Sequence, residues 1–245
     1  MKRFTPLFTL CFIIFPFYIS CTQQQKEIKG NYEIIQKKIP ITDYDEIVLA
    51  LPAEVIYEQV SYEAPFLQVS VDKNILSSLD ISVKNNRLII AQNTDSILKP
   101  SQLKIFTNST NIKKINIEQT GSLVMQKEVN ARDMEISISG TGELNADSLY
   151  CENLKIELFE AGDITIQGAA TYADFTLSGA SDLKAQEYLV QHLNCSVDGS
   201  GEIEVWVSES LKALAKGSGE LKYKGNPESV FTKKEGTGNI MQIEE

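Results

Sequence analysis

The chain has 245 residues, with 23 Lys and Arg against 33 Asp and Glu, and a formal net charge of −10. That balance disfavours a phosphate backbone, whose binding rests on Lys and Arg neutralising phosphates, so no nucleic acid partner is expected. One histidine and four cysteines give neither a zinc-type cluster nor a closely spaced disulfide framework, and no cofactor is implied.

Residues 1–20 read as an export signal. Lys2 and Arg3 precede an apolar run that Pro6 and Pro16 interrupt, which is too short and broken for a permanent membrane span. The run ends in Ile-Ser-Cys at Cys21, which resembles a bacterial lipoprotein cleavage box. Cys21 is therefore the expected lipidation site, and acyl chains contribute about 0.8 kcal/mol per buried CH₂ to holding the protein on a membrane. Loss of residues 1–20 leaves 21 basic against 33 acidic side chains, a formal −12. Residues 21–37, beginning CTQQQKE, read as the lipidated cysteine and a polar tether. The expected location is a membrane of the cell envelope, the outer membrane foremost.

Residues 38–245 read as one domain, because no Gly-, Pro- or Ser-rich linker divides them. Short apolar runs at residues 47–51, 55–57, 66–71, 88–91 and 103–106 predict strands, residues 74–79 a helical turn, and Asn85-Asn86 a tight turn. This region is expected to supply the first, less regular coils, continuous with a repeat in the C-terminal half.

From about residue 112 the chain repeats. Leu123, Leu144, Ile164, Leu183, Ile203, Leu221 and Ile240 recur at intervals of 18 to 21 residues. Two positions before them stand Gly121, Gly142, Gly162, Ser181, Gly201, Gly219 and Gly238. Eight before come Ile115, Ile136, Ile156, Phe175, Cys195, Ala213 and Thr232, and six before come Ile117, Ile138, Leu158, Leu177, Val197, Ala215 and Lys234. Spacing by two within a copy is the strand period, and columns that persist between copies mean that each turn stacks on the next. One copy cannot offset an ordering cost of roughly 1–2 kcal/mol per residue, but stacked coils share a core. The prediction is an all-β, right-handed β-helix of roughly 20-residue coils. Polar Thr232, Lys234 and Gln242 replace its inward residues in the last copy, so residues 230–245 read as a cap.

The chemistry these corners could support is limited. Their glycines precede an acid and a strand rather than a lysine and a helix, which argues against phosphate. Glu143, Asp163, Asp182, Glu202 and Glu220 form one column, one residue before each repeating aliphatic. At a coil spacing of about 4.8 Å, neighbouring carboxylates repel by about 1 kcal/mol even in water. A solvated acidic edge, nearby lysines such as Lys184 and Lys222, or a bound cation would offset this. Calcium usually takes several oxygens from one loop, whereas each corner supplies one acid, so the solvated edge is the stronger reading. No pair of acids stands out for glycoside hydrolysis, and His192 has no neighbouring nucleophile motif, so an enzyme is not expected. Small Thr120, Thr141, Ala161, Ala180, Ser200, Ser218 and Thr237 fit crowded stacked corners. Cys195 falls in an inward column as a small core residue, Cys151 lies after the strand pair of its coil, and no disulfide between these different columns and copies is expected. Trp206 should point outward as an aromatic contact for a sugar or protein, or as cover for a loop.

The run ITDYDEIVLALPAEVIYEQ, then VSVDKNILSSLDISVKNNRLII, then corners such as SGTGEL resemble the head GIN domain, a family described as auto-transporter adhesin heads. The resemblance covers roughly residues 38–245 and implies a β-helix-like fold without catalytic residues. Gln119, Glu160 and Ser181 depart from its corner glycines. The expectation is a non-catalytic envelope lipoprotein that presents β-helix faces to a glycan or protein partner. A polysaccharide-acting enzyme and a calcium-stabilised solenoid are the alternatives.

Overall fold

The structure, a computed structural model, describes residues 26–244; the expected export signal and Cys21 lie outside the described residues. The chain forms a β-solenoid of about 6 turns with about 20 residues per turn. Its regular part consists of long bent strands, Val129–Gly140, Glu143–Glu160, Asp163–Gly179, Asp182–Gly199 and Glu202–Gly217, each in parallel register with the next.

The repeat frame read from sequence is the stacking register. Leu123, Leu144, Ile164, Leu183, Ile203, Leu221 and Ile240 are successive partners, and all but Ile240 are fully buried. The column from Ile115 through Phe175 and Cys195 to Thr232 is likewise continuous. Burying one Leu or Ile contributes about 1.5–3 kcal/mol, and here every coil buries several against both neighbours. The final rung, Ser229–Gly236, is exposed throughout, which is why Thr232 and Lys234 can stand where earlier coils need apolar groups.

Two glycine columns make the corner, for different reasons. Gly199 has φ 143°, and a Cβ there would lie 2.1 Å from the carbonyl oxygen of Gly179 in the coil below. Gly142 has no such backbone demand, but a Cβ would come within 2.5 Å of the Ile117 side chain. Of the departures from glycine, Glu160 takes the left-handed conformation itself, at φ 70°. Ser181 is accommodated fully buried, and Gln119 lies in an exposed bend.

The N-terminal half joins the stack out of chain order. Glu46–Leu49 and Glu54–Gln59 pair with Lys114–Ile117 and Ser122–Gln126 on one side, and with Arg87–Gln92 and Leu103–Ser109 on the other. The coil that comes first in sequence is thus second in space. Beyond it the pairing turns antiparallel: Leu79–Lys84 runs back along Arg87–Gln92, through a turn at Asn85 and Asn86, both with positive φ. Phe66–Asp72 lies against Leu103–Ser109, and Ile34–Pro40 against Phe66–Asp72. The only helical element among the described residues is the short 3₁₀ turn Leu76–Ser78, inside the expected helical turn.

Strand pairing begins earlier than the polar tether predicted for residues 21–37, since Glu27–Lys29 pairs with Ile97–Lys99 and Ile34–Pro40 starts within that stretch. Asp72 ties this segment down. Its fully buried carboxylate accepts from the Tyr32 amide at 2.7 Å, and from the Ser101 amide and hydroxyl at 2.7 and 2.8 Å. Burial pushes its pKa up, but these donors outweigh that and hold the carboxyl below its ordinary range. The resulting edge strand carries exposed Lys37 and Lys38, which discourages pairing with another chain.

Candidate binding groove

A groove of about 870 Å³ runs down the outside of the regular coils. One wall is the column Asp133, Asn153, Tyr172, His192, Ser210 and Ser229; the other is Glu135, Lys155, Asp174, Asn194, Lys212 and Phe231. Between them, Met134, Leu154, Ala173, Leu193 and Leu211 form a floor that is nearly closed to solvent. The strands bend here because inward-outward alternation slips: Arg132 and Asp133 both face outward, as do Thr171 and Tyr172. No glycine marks this bend. Extending the repeat frame to eleven and nine residues before each aliphatic would have collected both walls. The residue types in those columns change from coil to coil, so nothing in them signals a repeat.

Charges of both signs are interleaved in the walls, and Lys155 lies 3.0 Å from Glu157. Lys114 pairs with Glu135 at 2.8 Å and Lys113 with Asp45 at 2.8 Å. Asp133 accepts from Asn153 at 2.7 Å, and Asp174 from Asn194 at 3.1 Å. At mid-length, the rings of Tyr172 and His192 stack with centroids 5.0 Å apart and planes 19° from parallel. Tyr172 remains half exposed and Phe231 more so.

His192 is the residue whose surroundings the sequence concealed. Its Nδ1 lies 2.9 Å from the Ser210 hydroxyl, one coil on, and its Nε2 lies 3.3 Å from the Glu209 carboxylate. A hydroxyl, an imidazole and an acid in hydrogen-bonding sequence are the parts of a nucleophilic triad. Acyl transfer also needs free donors where an oxyanion would develop. Here Tyr172, His192, Ser210 and Ser229 lie in one parallel ladder, whose amides serve coil-to-coil pairing. The arrangement holds the imidazole flat in the groove wall.

The acidic column is contiguous, as the repeat frame requires: Glu143, Asp163, Asp182, Glu202 and Glu220 are register partners in order. Its members turn toward protein donors rather than a common centre. Asp163 accepts from the Asp182 amide at 3.3 Å, Asp182 from the Glu202 amide at 3.0 Å, and Glu143 from Asn145 at 2.8 Å. Lys222 pairs with Glu202 and lies 3.6 Å from Glu220 and 3.8 Å from Glu204. Among the described residues no three His, Cys, Asp or Glu side chains converge to hold a metal ion. Burial first, and the adjacent Glu202 second, raise the Glu204 carboxyl above its ordinary range, while Lys222 opposes the shift.

Trp206 is only partly exposed. The Lys224 ammonium lies 4.7 Å from its ring centre, and Gly225 packs so closely that a Cβ would fall 2.9 Å from the indole. The indole therefore covers a neighbouring turn, and more open aromatics are Tyr32, Tyr62, Phe231 and Tyr172, of which the last two line the groove. Cys195 is a buried free thiol and Cys151 a half-buried one. Burial pushes the Cys151 thiol up to about 12, so neither its exposure nor its acidity suits a nucleophile.

No helix among the described residues is long and apolar enough to cross a membrane. A crystal structure named as a lipid-binding protein from Parabacteroides distasonis is 30% identical, with a TM-score of 0.77, covering 89% of this chain and 100% of that one. An adhesin structure from the same organism is 25% identical at a TM-score of 0.74, covering 89% and 100%. One from Bacteroides fragilis shares the fold at 22% identity and a TM-score of 0.82, covering 88% and 100%. No curated protein matches the chain. The family model described as "putative auto-transporter adhesin, head GIN domain" matches residues 43–227, three quarters of the sequence, and the chain belongs to that family.

Proposed function

We propose that this protein is a non-catalytic, adhesin-like binding module, tethered to the cell envelope through a lipid on Cys21, with the groove as its ligand face. The groove carries this reading: it is long and open, its four lysines are interleaved with three acids, and half-exposed rings line it. A regular solenoid gives such a surface rigidity, because the wall residues from Asn153 to Lys212 stand on strands hydrogen-bonded on both sides. Names given to relatives, adhesin and lipid-binding protein, agree with a binding role and differ on the ligand.

The test is a binding screen of residues 26–245 against glycans, envelope proteins and lipid vesicles, with each bound candidate followed for turnover. Saturable binding without turnover is expected, along with lipid labelling of the full-length chain that Cys21→Ser abolishes. Hydrolysis of a bound ligand that Ser210→Ala abolishes would overturn the non-catalytic reading, and would assign the Ser210–His192–Glu209 chain to catalysis.

A further inference from the structure

We infer that the groove binds a neutral, linear glycan lying along the solenoid axis, with a sugar ring stacked on Tyr172. The inference rests on the groove being the ligand face. Three properties of the groove select this ligand over others of similar size.

The floor offers little apolar surface. Met134, Leu154, Leu193 and Leu211 are 2–3% exposed, so the floor itself gives an acyl chain or the apolar face of a helix little surface to cover. Backbone recognition is closed as well, because an extended peptide needs an unpaired strand edge. Here the wall residues from Asn153 to Lys212 stand on strands paired on both sides, and the open edge of Ser229–Gly236 closes the end of the stack and runs across the groove rather than along it. Lys113, Lys114, Lys155 and Lys212 are interleaved with Asp133, Glu135 and Asp174 along the groove, and Lys114 is paired with Glu135, so an anionic polymer finds no line of free cations.

What the walls present is a half-exposed phenol ring, backed by the stacked His192 imidazole, with one carboxylate–amide pair on each wall beside it. Asp133 with Asn153 stands on one wall and Asp174 with Asn194 on the other. Carboxylates accept from hydroxyls and amides both donate and accept, which matches the alternating demands of a sugar's hydroxyl rim. The apolar face of a pyranose stacks on an aromatic ring as an amphipathic surface does. Six wall residues at a spacing of about 4.8 Å give a track roughly 24 Å long. That length accepts a chain of several sugars rather than one.

Isothermal titration with neutral oligosaccharides of increasing length, from β-glucan, mannan and xylan series, tests this. Affinity is expected to rise with chain length and level off once the track is filled, and to be unaffected by added salt. Tyr172→Ala should weaken binding about tenfold, Tyr172→Phe should keep it, and Tyr150→Ala, outside the groove, should change nothing. Unchanged thermal unfolding of Tyr172→Ala separates lost contact from lost fold. Failure of every series to bind, binding indifferent to Tyr172→Ala, or binding that salt abolishes would each overturn the inference. If an envelope protein or lipid binds instead and Tyr172→Ala removes it, the glycan is refuted while the groove stands as the ligand face. If a ligand binds and no groove substitution affects it, both fall.

Discussion

Glu160 occupies a corner where the neighbouring coils use Gly140 and Gly179, and it holds φ 70° to do so. A non-glycine residue in that conformation costs about 1–2 kcal/mol. Replacing it with glycine removes this strain but adds freedom to the unfolded chain, which returns about 0.5–1 kcal/mol. Glu160→Gly should therefore stabilise the protein by about 0.5–1 kcal/mol, an unusual direction for a substitution to glycine inside a repeat. For a chain of this size that raises the melting midpoint by about 1–4 °C, readable by circular dichroism or calorimetry. The side chain is exposed, so no packing is lost with it. Glu160→Ala provides the control, since alanine keeps the unfavourable φ and loses only the charge. A gain from Ala equal to that from Gly would trace the effect to charge repulsion and refute the backbone argument, as would a lower midpoint for the glycine variant.

Gly199→Ala should act in the opposite sense, because its methyl would lie 2.1 Å from a backbone oxygen of the preceding coil; a loss of about 2–4 kcal/mol in denaturant unfolding is expected. Asp72→Asn replaces an acceptor of three short hydrogen bonds with a group that donates toward the same amides, and should cost about 2–3 kcal/mol at neutral pH. Because the Asp72 pKa is lowered on folding, the wild-type advantage is full above the unfolded carboxyl range. It is lost as pH falls through the folded value, so urea midpoints of the two proteins should converge in acid. Lys222→Gln leaves Glu202, Glu204 and Glu220 without their shared cation and should lower stability by about 1–2 kcal/mol at pH 7. Lowering the pH toward the raised Glu204 carboxyl should recover part of that loss. Wild-type melting should be the same in calcium and in EDTA, and a calcium-dependent midpoint would revive the cation column.

How much of this was legible divides by which way a side chain points. An inward residue meets the equivalent residue of the coils above and below, so its size is constrained by the same geometry at every turn. Leu144, Ile164 and Leu183 therefore align in sequence as they stack in space. The corner glycines are legible for the same reason, and Glu160 shows the limit of that logic: the conformation repeats even where the residue does not. The order of the N-terminal coils carried no such signal. Glu46–Leu49 and Arg87–Gln92 have similar apolar patterns, and nothing local says which one lies against Lys114–Ile117.

The groove escaped notice because its walls face outward. Asp133, Asn153, Tyr172, His192 and Ser210 share a column but no chemistry, since solvent, unlike a core, imposes no common size or polarity. Read along the chain, His192 in QHL is an isolated polar residue. Read along the stack, it lies between a tyrosine one coil back and a serine one coil on, with Glu209 beside it. In a solenoid the spatial neighbour is about twenty residues away, so motifs of contiguous residues cannot describe its surface. The repeat interval converts the sequence into a grid, and a functional site on such a fold is read down a column that the core has already set in register. On that grid the inward columns are uniform because packing demands it, and an outward column gains meaning where it departs from plain solvation. Among the described residues only the stretch around Tyr172 and His192 does so with two rings stacked in an open groove, which makes that stretch, and not the more regular acidic edge, the place for a ligand.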